Sequence, residues 1–188
     1  KYRDGVALAA DTKTSMGHMN YDFGAQKLHV MTEFSAIAHA GTVGVLQLIE
    51  DIFEQELVEF ERTGDMVLPL QSQAKVLRGI LRHMFLAGFS EDFAYILAGY
   101  DTVTEAPQLY EFDGAAASFE RNFAVIGSGT PFAMTELDSR FSTRLGRTRA
   151  LEIARDAVMA SAHRDQGTGG YLIAMTIDRN GPRTADEH

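Results

Sequence analysis

Apolar and polar positions along the chain follow two periods, and the switches between them mark out the elements. Residues 6–10 form an apolar run after the turn-like Asp4-Gly5 and stop at Asp11, which predicts a buried strand. Residues 11–17 are turn-rich, and an extended pattern resumes at residues 27–30. Residues 34–40 alternate, with Ser35, Ile37 and His39 on one face and Ala36, Ala38 and Ala40 on the other, before Gly41-Thr42 breaks the strand. The period then becomes helical over residues 43–62. Val43, Leu46, Ile49, Phe53, Leu57 and Phe60 recur at steps of three or four, while Glu50, Asp51, Glu54, Glu59 and Glu61 fall mainly elsewhere, and Gly64 is the stop signal.

A second helix is predicted over residues 70–87, with Pro69 suited to a first-turn position and Gly88 at its end. Strands are predicted at residues 93–99, 108–112 and 119–126, with Asp113-Gly114 as a turn between the last two. Gly127-Ser128-Gly129-Thr130-Pro131 leads into a helix over residues 131–141, and another helix covers residues 148–163. Residues 164–170 read as a loop, residues 171–177 as a final strand closed by Arg179-Asn180-Gly181, and residues 182–188 as a polar, mobile tail. Runs of strands and runs of helices in this order predict an α+β fold rather than alternating parallel units. No linker or internal repeat divides it, so residues 1–181 are expected to form one domain.

Composition narrows the function classes. The 188 residues carry 26 acidic and 17 basic side chains, a net charge of −9, which disfavours nucleic-acid binding through a basic face. A hydrophobic content of 45% is too rich for a disordered chain. The absence of cysteine excludes a disulfide scaffold, a thiolate metal site and a cysteine nucleophile, and fits a reducing compartment. No apolar run approaches the ~20 residues that span a bilayer, and Lys1-Tyr2-Arg3-Asp4 opens no signal peptide, so a soluble cytoplasmic protein without membrane contact is expected.

Common catalytic signatures are missing. Ile126 stands where a nucleophile elbow around Ser128 needs glycine, and the six histidines show neither a His-Glu-x-x-His motif nor ligand spacing, so no metal or cofactor is expected. Gly127-Ser128-Gly129-Thr130 at a helix start reads either as an anion-holding turn or as a turn needing small residues. The remaining chemistry lies at strand ends, in Asp11, Lys27, Gly41 and Asp165. An Asp–Lys pair there would hold an ammonium beside a nucleophile and lower its proton affinity. Taken singly, Asp11 also reads as a turn cap, Lys27 as solvated surface and Asp165 as a loop residue.

Asp4-Gly5-Val6-Ala7-Leu8-Ala9-Ala10-Asp11 followed by Ser15-Met16-Gly17 resembles the opening of a proteasome β-type subunit. The likeness continues in order through Gln26-Lys27-Leu28, Ala40-Gly41-Thr42-Val43-Gly44, Ile126-Gly127-Ser128-Gly129 and Arg164-Asp165-Gln166-Gly167-Thr168-Gly169, and covers residues 4–181. The resemblance implies the N-terminal nucleophile hydrolase fold, a four-layer αββα sandwich with two antiparallel sheets between two helical layers. It also implies a threonine-type endopeptidase in the 20S core particle, acting on unfolded polypeptides. Its partners would be other β-type and α-type subunits in stacked, sevenfold rings, with an ATP-dependent regulatory cap.

Carried over by the resemblance, Lys27 stands beside the hydroxyl of an N-terminal threonine and Asp11 orients Lys27. Ser128, Asp165 and Thr168 surround the threonine's α-amine, and the Gly41 N–H faces the oxyanion. The family usually has serine where Thr168 stands, so an extra methyl must fit. Thr14, Ala25, His39, Val43 and Gln47 would line the pocket for the residue preceding the cut, and backbone at Ser15, Gly41 and Val43 would pair with the substrate. His39 makes that pocket semi-polar, with modest discrimination expected; packing against a neighbouring subunit is its other reading. The family places its nucleophile six residues ahead of the position of Lys1, and internal Thr12, Thr14 and Thr42 carry no α-amine to replace it. The expectation is that the threonine precedes Lys1. A catalytically silent ring subunit and a bacterial two-ring threonine peptidase are the alternatives.

Overall fold

A computed structural model describes residues 1–16, 19–22, 24–64, 66–89 and 93–185. Gly17 of the Ser15-Met16-Gly17 block, His18, and the tail end at residues 186–188 lie outside the described residues. The elements run β1 Gly5–Asp11, β2 Thr14–Met16, β3 Met19–Asp22, β4 Leu28–Thr32, β5 Ser35–Gly41, α1 Val43–Gly64 and α2 Leu70–Leu86. They continue with β6 Phe93–Asp101, β7 Ala106–Phe112, β8 Ser118–Glu120, α3 Thr130–Arg140, α4 Arg147–Ala162, β9 Leu172–Asp178 and β10 Gly181–Thr184.

Strand alternation creates the layers. On β5, Ile37 points into a core shared with Leu46, Ile49, Phe53 and Leu57 of α1, whereas Ala36 and Ala38 join Val6, Leu8, Met175 and Ile177 in a second core. On β6, Tyr95 and Leu97 take the first core, and Ile96 and Ala98 the second. The first core therefore lies between a five-stranded sheet, ordered β4-β5-β6-β7-β8, and helices α1 and α2. The second lies between that sheet and a three-stranded one, ordered β1-β9-β10, whose outer side carries α4 with α3 beside it. All the pairings are antiparallel, and the result is a four-layer αββα sandwich. The small residues Ala36, Ala38 and Ala98 let the two sheets approach, while the larger side chains fill the helix side.

Four local expectations change. The turn-rich residues after Asp11 contain the short hairpin β2–β3. Of residues 119–126, only the first two are strand; the ladder against β7 ends where the Arg121 N–H donates to Leu109. Beyond it, Ala124 and Ile126 pack against the inter-sheet core and Phe123 against the Phe141 ring at 4.9 Å, so tertiary packing rather than a strand ladder holds this apolar run. The polar tail begins as a strand, because β10 pairs with β9 from Gly181↔Asp178 to Thr184↔Met175. Pro69 precedes the first turn of α2 rather than joining it, and its carbonyl accepts the N–H groups of Ser72 and Gln73. Among the described residues, no helix is long and apolar enough to cross a membrane.

Candidate active site

Asp11 ends the apolar run of β1 and pairs in register with Leu172, which places its carboxylate at the end of the smaller sheet. Lys27 directly precedes β4, and its carbonyl accepts the His39 N–H from β5 at 3.3 Å. These two strand ends meet. Lys27 Nζ donates to Asp11 Oδ1 at 2.8 Å, with only 20% and 15% of the two side chains exposed. Asp11 Oδ2 accepts the Lys13 N–H at 3.1 Å and the Gly169 N–H at 2.9 Å. Lys13 Nζ in turn donates to the Gln166 carbonyl. One carboxylate thus joins β1, the entry to β4 and the loop before β9 through charge-assisted bonds.

A second carboxylate lies in that loop. Asp165 Oδ2 accepts from Ser128 Oγ and Thr168 Oγ1, both at 2.6 Å. Burial pushes the Asp165 carboxyl upward, yet these two hydroxyls, the Gly167 N–H and the charge of Lys13 outweigh it and hold the group below the usual carboxylate range. The glycines around it are steric requirements. A Cβ on Gly129 would stand 2.7 Å from Ser161 Cβ and 2.8 Å from Thr168 Oγ1, and one on Gly167 would collide with Ser128 Oγ. The Gly127–Thr130 turn therefore needs small residues to admit Thr168, and Gly127 itself has φ +94°.

Lys27, Asp11, Gly41, Ser128 and Thr168 line one cavity of about 1150 Å³, and Asp165 stands behind the two hydroxyls it accepts from. Gly41 ends β5 with φ +143°, and a Cβ on Gly127 would lie 3.4 Å from Ala40 Cβ, so the Ser128 turn is seated against the end of β5. Thr14, Ala25, His39, Val43 and Gln47 line the same cavity. Ser15 stands in β2, beside them in sequence. Because each hydroxyl donates its proton to Asp165, its oxygen lone pairs remain to accept from an amine. The ammonium of Lys27 has two further N–H donors beyond the one given to Asp11.

The pocket holds two residues that the sequence pattern did not single out. Glu50 reads as part of the solvated face of α1, yet its side chain is only 14% exposed and its Oε1 lies 2.5 Å from His39 Nδ1. His29 stands across from Ile37 in the β4–β5 ladder, and therefore on the same face as His39. Its Nε2 is 3.7 Å from Glu50 Oε2 and 3.2 Å from the Gln26 carbonyl, which His39 Nε2 approaches at 3.1 Å. The two rings meet edge to face at 5.2 Å. Beneath them the Tyr95 hydroxyl donates to the Leu46 carbonyl at 3.0 Å, and burial, then the charge of Glu50, raise its pKa. The His29–Ile37 pairing that assembles this cluster is set by the sheet register and is not readable along the chain. His39 faces α1 and the cavity, which decides the side left open by strand alternation.

Comparison with known proteins gives a concordant match. A family model described as "Proteasome subunit" matches residues 1–177. A Frankia alni protein named "Proteasome subunit beta" is 34% identical, the alignment covering 95% of this chain and 69% of that protein. "Proteasome subunit beta 2" of Pyrococcus furiosus is 31% identical over 95% of this chain and 84% of its own. "Proteasome subunit beta 1" of Pyrococcus abyssi is 32% identical over 96% and 90%.

Proposed function

The chain belongs to the proteasome subunit family, and from that premise we propose that it is a β-type subunit of a 20S core particle, a threonine-type endopeptidase that cleaves unfolded polypeptides. The observation that carries this reading is the Lys27–Asp11 pair at 2.8 Å, in one cavity with Ser128 and Thr168. Two charged side chains held together at such low exposure cost desolvation, and turn or surface roles do not account for both.

The hydroxyl of an N-terminal threonine attacks the substrate carbonyl, and its α-amine takes the proton and returns it to the leaving amine. Water then hydrolyses the ester formed. Lys27 favours the ionised hydroxyl by charge, and Asp11 keeps the ammonium in place. Ser128 and Thr168, fixed by Asp165, accept from the α-amine and set its position. The Gly41 N–H faces the developing oxyanion. An extended substrate pairs with backbone at Ser15, Gly41 and Val43, and its side chain before the cut enters the pocket of Thr14, Ala25, His39, Val43 and Gln47. Assembly with other β-type and α-type subunits in stacked rings, under an ATP-dependent cap in the cytoplasm, would confine the cutting to threaded chains.

N-terminal sequencing and intact mass of the protein from assembled particles, with peptide hydrolysis measured on the same sample, test this reading. The expected result is a threonine with a free amine six residues ahead of Lys1, together with hydrolysis. Particles that begin at Lys1 and cleave nothing would leave only a structural ring role, and two-ring particles lacking α-type subunits would favour the bacterial peptidase type.

A further inference from the structure

We propose that His29, His39 and Glu50 form a binding site for one divalent first-row transition-metal ion, on the helix side of the cavity. Their ligand atoms lie within 4.8 Å of one another. The three residues come from β4, β5 and α1, three packed elements that bring the ligand atoms together.

Hydrogen bonding sets the tautomer of His39. Its Nε2 faces the Gln26 carbonyl at 3.1 Å, and a carbonyl only accepts, so Nε2 carries the proton. In the neutral ring, Nδ1 then presents a lone pair to Glu50 Oε1 at 2.5 Å. Neither atom makes a hydrogen bond, although both are buried. Two buried acceptors this close repel unless a positive centre lies between them. An imidazole N–H held by a backbone carbonyl is also the arrangement that orients metal-bound histidines.

The donor set selects the class of ion. Two imidazoles and one carboxylate suit zinc and its first-row neighbours, whereas magnesium and calcium take oxygen ligands. Zinc bonds of roughly 2.0–2.2 Å in a tetrahedron separate neighbouring ligand atoms by about 3.3–3.5 Å. His29 Nε2 and Glu50 Oε2 are already 3.7 Å apart, but His29 Nε2 also faces the Gln26 carbonyl at 3.2 Å and has to give up that contact and its proton to ligate, while His39 Nδ1 and Glu50 Oε1 have to part by about 1 Å. The Tyr95 hydroxyl is committed to the Leu46 carbonyl and supplies no ligand. His29, His39 and Glu50 line the same cavity as Lys27, Val43 and Gln47. An occupied site narrows the pocket and lowers peptide hydrolysis; this consequence, unlike the binding, rests on the peptidase reading.

The test uses tag-free assembled protein, stripped with a chelator and dialysed. Zinc is titrated calorimetrically, and cobalt(II) by visible absorption. The expected result is one saturable equivalent per chain, with the intense absorption of low-coordinate cobalt, and no competition from magnesium. Glu50→Gln and His29→Ala should each weaken zinc by at least the ~10–100-fold that loss of even an outer-shell partner costs. His83→Ala, on an exposed α2 residue, should leave binding intact. Glu50→Gln preserves shape, and the His29 side chain is one-third exposed, so neither variant depends on repacking the core. Absence of saturable binding, or affinity unchanged in both variants, overturns the proposal and leaves a proton as the species shared by His39 and Glu50. Binding without any peptide hydrolysis sustains the site while removing the peptidase reading.

Discussion

Asp11 holds the Lys27 ammonium at 2.8 Å with one carboxylate oxygen and takes the Gly169 N–H at 2.9 Å with the other. A single side chain therefore fastens the entry of β4 and the 165–170 loop to the end of β1. On the peptidase reading two consequences should separate: Lys27 serves the chemistry, and Asp11 both the chemistry and the fold.

Lys27→Ala should lower peptide hydrolysis by the assembled particle at least ~10²-fold, the scale of a positioned proton-transfer partner, while ring assembly stays intact. Fluorogenic peptide turnover beside size-exclusion profiles checks this. Near-wild-type turnover would remove Lys27 from the mechanism.

Asp11→Ala strips two backbone N–H groups and an ammonium of their acceptor, so it should cost about 1–3 kcal/mol of stability. Lys27→Ala leaves the Asp11 carboxylate its two backbone N–H donors, so it should cost less than Asp11→Ala. Urea denaturation at neutral pH ranks the two, and equal losses would contradict the division of labour.

Asp165 predicts an acid-dependent difference. Its carboxyl titrates lower in the folded protein than in the unfolded chain, so its contribution is complete above the unfolded value of roughly 3.9 and fades as pH falls through the lower folded value. Asp165→Asn should be less stable than wild type at pH 6, with impaired maturation and hydrolysis, and the stability gap should close toward pH 3. A gap that stays constant across that range would assign the loss to packing.

Gly129→Ala places a methyl 2.7 Å from Ser161 Cβ and 2.8 Å from Thr168 Oγ1. Overpacking of this kind should destabilise by about 1–3 kcal/mol and reduce hydrolysis by displacing Thr168. Thermal melts and turnover should move together; a fall in neither would mean the turn relaxes freely.

His39→Leu should shift cleavage toward aliphatic residues before the cut, because it removes the polar edge that faces Glu50 in the pocket. Profiling a peptide library on both proteins decides it. Identical preferences would take His39 out of the substrate pocket.

Local periodicity carried most of the architecture. The alternation of Ser35, Ile37 and His39 and the three-and-four spacing of Leu46, Ile49, Phe53 and Leu57 depend on neighbours within one element, so they are readable along the chain. Residues 121–126 and β10 were not legible, because the first are held by packing and the second by pairing with β9. Glu50 shows the same limit within a helix: its position marks it as polar, and only the rings of β4 and β5 bury it.

At the site, residue types at element ends pointed to Asp11, Lys27 and Asp165, each with an ordinary alternative role, and the family resemblance added Ser128 and Thr168. What separates those roles is contact between residues 16, 37 and 158 positions apart in sequence. Chain order encodes which groups are present, since composition and periodicity are local properties. Whether a carboxylate meets an ammonium, or an imidazole meets a buried glutamate, depends on how sheets and helices close on each other, and only the packed fold settles that.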